Sequence, residues 1–149
     1  MKKAFLIIFG LFLSLLQPLQ AQYKPLDSLY FTLVKYEDKK NKIDTVYVNT
    51  LNQLAQNLHK TQPDTALFYA QKALEASEEI SFFKGKANAI KQKSINFTNT
   101  KNYLNALAHW HKSITAFAQV NDAKEIAICL ENIGDIYRCL LYTSDAADE

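Results

Sequence analysis

The side chains able to do chemistry in this chain are few, and their spacing keeps them apart. There are three histidines, His59, His109 and His111. On a helix, two positions one residue removed point about 200° apart, so His109 and His111 do not close on one metal ion. His59 has no cysteine or paired carboxylate beside it. Each histidine is therefore expected at the polar surface. Cys129 lies alone in an apolar helical stretch and cannot form an internal disulfide, which makes it a small buried hydrophobe. Gly85 and Gly134 stand singly, whereas a loop that cradles phosphate needs clustered glycines. No serine is framed by a nucleophile elbow. Asn96-Phe97-Thr98 matches a glycosylation sequon, but Phe97 is expected to be buried. These residues predict no catalytic site, no metal and no cofactor.

The elements that carry these residues begin well inside the chain of 149 residues. Residues 1–21 open with Lys2 and Lys3, run apolar from Ala4 to Leu16, turn polar at Gln17 and Pro18, and reach the small Ala21. This is the pattern of a secretory signal peptide. The apolar run falls short of the roughly 20 residues that span a bilayer, and no cysteine comes after it for lipid attachment. Export to the periplasm, with cleavage after Ala21, is expected. Residues 22–43 form a leader with one short helix near Asp27, Leu29, Leu33 and Val34, placed to cap the helices after it. At the other end, Cys139 to Glu149 breaks the preceding helical pattern without a cap. This segment resembles a translated sequencing adaptor in a single frame. Residues 139–149 are accordingly expected to be a non-native tail, with the natural chain continuing past Arg138. Without the signal peptide and tail the formal charge of +2 becomes about +3. The basic run Lys39-Lys40-Asn41-Lys42 sits beside Glu37 and Asp38, so a nucleic-acid footprint is not expected.

Between the two ends the sequence repeats. A shift of 40 residues places Ala127 on Ala87, Leu130 on Ile90, Gly134 on Ser94 and Tyr137 on Phe97. The same shift places Ala106 on Ala66, Leu107 on Leu67, Ser113 on Ala73 and Ile114 on Leu74. An earlier helix carries Leu51, Leu54, Ala55 and Leu58 on one face. Asp44 is expected to cap that helix. Thr61-Gln62-Pro63-Asp64 has a hydroxyl, an acid three residues on and a proline, which mark the next helix start. Asn102-Tyr103 and Asn121-Asp122 open later helices, and short connections make neighbouring helices antiparallel. The pattern over Asp44 to Arg138 resembles the tetratricopeptide repeat (TPR), with units at 44–80, 81–120 and a truncated 121–138. The expected fold class is all-α, a TPR-type antiparallel helix-pair solenoid of about two and a half repeats after a signal peptide. In that family small residues stand at close helix crossings, here Ala55, Ser94 and Gly134, then Ala66 and Ala106, then Ala73 and Ser113. The chain departs from the family where Leu51, Ile90 and Leu130 replace the common tryptophan, and where the closing proline is missing. Lys93 also stands where Leu54 and Ile133 are apolar, so the middle unit is the weakest match.

The resemblance implies a concave groove lined by the first helix of each pair. Its groove positions are Asn49, Asn52, Gln56 and His59; Asn88, Lys91 and Ile95; and Ile128, Glu131 and Asp135. These are polar and mixed in charge. Ile95 stands where a family member that grips a C-terminal carboxylate carries asparagine, so that activity is not carried over. The implied function is a protein-protein interaction scaffold whose partner is a protein, a peptide or its own downstream domain. It resembles the periplasmic input region of bacterial sensor kinases and membrane-bound regulators. On that reading the membrane is met only through the signal peptide or a downstream helix. A stand-alone exported scaffold and the non-catalytic part of a sensor histidine kinase are the alternatives.

Overall fold

The computed structural model describes residues 26–36 and 42–145. The expected signal peptide and the last four residues of the expected tail lie outside these. Regular structure among the described residues is entirely helical, so the fold is all-α. Helix α1 covers 26–36, followed by α2 (Thr45–Leu58), α3 (Pro63–Glu79), α4 (Phe83–Asn99), α5 (Tyr103–Gln119) and α6 (Ala123–Asp145). None of them is long and apolar enough to cross a membrane.

Helix starts follow local chemistry in two places and not in a third. Asp44 is extended, and its carboxylate accepts the Tyr47 N–H at 2.9 Å. The Tyr36 hydroxyl at the end of α1 donates to the same carboxylate at 2.7 Å, tying α1 to the start of α2. The Tyr47 amide first, and then the Tyr36 hydroxyl, hold the Asp44 carboxyl below its ordinary range. The Asp122 carboxylate accepts the Glu125 N–H in the first turn of α6. The Thr61 hydroxyl, by contrast, does not cap α3. The residue at that position is Gln62, without a side-chain bond, and Pro63 begins the helix. Thr61 stands one residue too early to reach the free amides.

Helix ends share one device. Ser81, Lys101 and Asn121 have φ of 56°, 58° and 54°, and they stand 20 residues apart. Beyond each, an N–H bonds back into the helix: Phe82 to the Ser77 carbonyl, Asn102 to Phe97 and Asp122 to Phe117, at 2.8, 2.9 and 3.0 Å. A left-handed residue followed by this bond is the usual way to stop a helix while satisfying its last carbonyls. Glycine is favoured there, and none of the three positions has one. Helices α3, α4 and α5 are consequently of equal length, 17 residues each.

Each of the helices α2 to α6 packs against the next, and α2 also touches α4. Helix α4 is the wall between two cores. On one side Ala89 joins Leu33, Val48, Leu51, Leu54, Ala73 and Ala76. On the other, Ala87 joins Ala106, Trp110, Phe117, Cys129 and Ile136. Positions 87 and 89 lie about 200° apart on a helix, which is how one element serves both. The Trp110 indole N–H donates to the Thr98 hydroxyl at 3.0 Å, satisfying the polar atom of a fully buried ring.

Small residues fill the crossings. Ala55, Ala66, Ala73, Ser94, Ala106 and Ser113 are all at most 1% exposed. Gly134, expected at the same kind of crossing, is exposed, and a Cβ built there would meet nothing within 4 Å. Gly85 is the glycine in close contact, with a built Cβ 2.7 Å from Val48 Cγ1. The helical pattern expected to break at Cys139 goes on. Helix α6 runs through Arg138 to Asp145, since nothing in 139–145 is a glycine or proline that would stop it. Its Leu141 and Tyr142 are 66% and 75% exposed.

Candidate partner-binding surface

Nine of the ten positions expected to line a groove fall on α2, α4 and α6, and His59 caps the end of α2; spacings of three and four put each set on one helix face. Two contacts join the first helices side by side. The Asn52 side-chain N–H donates to the Gly85 carbonyl at 3.1 Å, linking α2 to α4. Lys91 Nζ lies 2.8 Å from Glu125 Oε2, linking α4 to α6. A second ion pair, Lys84 to Asp122 at 3.4 Å, supports the same junction.

The ten residues do not share one environment. Asn49, Gln56, Glu131 and Asp135 are exposed, and His59, Asn88, Lys91, Ile95 and Ile128 are half-buried. Asn52 is buried at 6% exposure. Its Nδ2 must face the Gly85 carbonyl, which can only accept, so its Oδ1 is left buried without a partner. Asn52 therefore acts first as a strut between helices. Lys91 is likewise engaged: besides Glu125, its ammonium lies 5.7 Å from the centre of the Phe117 ring. Asp135 pairs with Arg138 on its own helix. The free polar surface is thus mainly Asn49, Gln56, Asn88 and Glu131.

Two buried amides of α4 were not read as packing residues in the sequence. Asn96, 3% exposed, donates from Nδ2 to the Pro63 carbonyl at 2.6 Å and pins the start of α3 to α4. Gln92 is 5% exposed, and its Oε1 has no partner. Asn52, Gln92 and Asn96 are amides placed where a helix pattern calls for apolar residues, and this mismatch is the available sequence signal. A cavity of about 300 Å³ opens elsewhere, at the α3–α4 turn, lined by Ser77, Glu78, Ser81, Phe82, Phe83 and Lys86. It includes none of the ten positions.

Among the described residues no group of three or more His, Cys, Asp or Glu is placed to hold a metal ion. His109 is not a plain surface residue. It is half-buried, and its ring faces Phe97 at 4.8 Å between centroids. Burial first, then Lys93 and Lys112, pull its pKa below the ordinary value against the Asn105 carbonyl. Cys129 is fully buried with its thiol 3.6 Å from the Ser113 hydroxyl, and burial pushes its pKa up. The thiol is therefore inert, since the thiolate is the reactive form. No protein-family model matches this chain, and no curated protein sequence matches it.

Proposed function

We propose that this chain is a TPR-type interaction scaffold that presents the α2–α4–α6 surface to a protein or peptide partner. The reading rests on one observation. Helices α2, α4 and α6 are tied edge to edge by Asn52–Gly85, Lys84–Asp122 and Lys91–Glu125, while α3 and α5 pack between them in turn. Such an arrangement keeps one face of successive helix pairs in register, which is how stacked helical repeats make an extended binding surface. Asn49, Gln56, Asn88 and Glu131 offer amide and carboxylate groups suited to hydrogen bonds with an extended segment. The chemistry is binding rather than catalysis.

In the cell, the leading signal sequence and the resemblance to sensor proteins make this an exported segment, the periplasmic input region of a longer signalling protein. Two experiments test the proposal. A photo-crosslinking residue at Gln56 or Glu131 is expected to give discrete adducts in intact cells, and one at Thr115 on α5 is not. Equal labelling at all three sites counts against the surface. Reading the gene past the Arg138 codon is expected to give further repeats, an apolar run of about 20 residues and an output domain. A stop after one more helix would make the protein a free scaffold instead.

A further inference from the structure

One junction in the molecule breaks its own repeat. Where α2 and α6 bury Leu54 and Ile133, at 0% and 8% exposure, α4 carries Lys93. Lys93 is half-buried, and its Nζ donates to Gln71 Oε1 of α3 at 2.7 Å. Gln71 in turn donates to Glu75 Oε1 at 2.8 Å. One turn along α4 from Lys93, Phe97 packs on the His109 ring of α5, with Lys112 a turn beyond His109 on the same face. His109 Nδ1 is 2.9 Å from the Asn105 carbonyl, which fixes the proton on that nitrogen and leaves Nε2 to bind or accept a second proton. On α4, Lys93 lies about 200° from Lys91 and 200° from Ile95, so the junction is on the face turned away from the proposed partner surface.

The groups whose charges act on one another here are Lys93 from α4, Lys112 and His109 from α5, and Glu75 from α3. Two of them are ammonium groups, one is a protonatable ring, and one is an acid already engaged by Gln71. Burial, followed by the charge of Lys112, lowers the Lys93 pKa, and Glu75 opposes this only in part. A half-buried ammonium with two N–H donors left after Gln71, under the influence of a second ammonium, is an incompletely compensated positive site.

We propose that the α3–α4–α5 junction binds an oxyanion, a carboxylate or phosphate group held by the ammonium groups of Lys93 and Lys112 and by His109. The ligand completes the charge balance that Glu75 leaves unfinished. It also favours protonated His109, so binding takes up a proton and tightens as pH falls toward the histidine range. This does not depend on the partner surface, which lies on other residues.

The test is an NMR titration of the ring C–H signals of His59, His109 and His111 in the full chain, at constant ionic strength. Inorganic phosphate in place of chloride is expected to raise the His109 midpoint by about one pH unit, as a nearby opposite charge does, with His59 and His111 unmoved. Acetate forms a second arm: a matching rise assigns the site to carboxylates as well, and a rise with phosphate alone assigns it to phosphate. Lys93→Gln and Lys112→Gln are each expected to reduce the rise. Lys112 is exposed, so its variant keeps the test valid if Lys93→Gln fails to fold. A His109 midpoint indifferent to both anions, an equal movement of all three histidines, or an undiminished rise in the Lys112→Gln chain would overturn the proposal.

Discussion

Helices α4 and α6 carry the same residue pattern 40 positions apart and meet different surroundings. On α4, Ala87 and Ser94 are fully buried, and Ile90 and Phe97 pack into the core around Trp110. The matching residues of α6 are open: Leu130 is 56% and Tyr137 52% exposed, and a Cβ at Gly134 would meet nothing within 4 Å. The opposite side of α6 is ordinary core, with Cys129 and Ile136 buried against α5. Two helices with one pattern thus differ because α5 covers a face of α4 and no described helix covers that face of α6. A pattern says which residues can be buried; a neighbour decides whether they are.

The comparison is broken most strongly by uncovering α4. Trp110→Ala removes the buried ring and its bond to Thr98, and a loss of about 3–5 kcal/mol in denaturant unfolding is expected. A loss below about 1 kcal/mol would mean that α5 does not hold α4 as described.

The two glycines sharpen it. At Gly85 an added Cβ would stand 2.3 Å from Phe82 Cδ1 and 2.7 Å from Val48 Cγ1, so Gly85→Ala should lose about 1–3 kcal/mol. At Gly134 the methyl has room, and Gly134→Ala should gain about 0.5–1 kcal/mol from the stiffer helix. The sign should reverse between the two variants in the same unfolding measurement. Two losses would place an unseen neighbour against α6.

An effect of the same small size lies in the stop that ends α4. Lys101 bears the steric penalty of a left-handed residue with a Cβ, at φ 58°. Lys101→Gly is expected to raise stability by about 0.5–1 kcal/mol, read as a higher thermal midpoint. An unchanged midpoint would show that the longer side chain offsets the strain.

Much of the architecture was legible from the chain. Spacings of three and four gave the helices, and the shift of 40 aligned them. Asp44 and Pro63 marked two starts correctly. The stops were harder to see, because Ser81, Lys101 and Asn121 take the backbone shape usually signalled by glycine. The candidate surface was legible only as a set of positions. Asn52 is a buried strut and Lys91 half of an ion pair, since their use depends on which atom of the neighbouring helix lies within bonding distance.

The sequence by itself determined the all-helical class, the repeat and the small residues that let helices cross closely, because these are set by local periodicity and side-chain volume. Only the tertiary structure decided which of two equal faces is covered, which amides hold helices together, and that Lys93, His109 and Lys112 share one junction. Those outcomes depend on contacts between residues distant along the chain, and no local pattern encodes them.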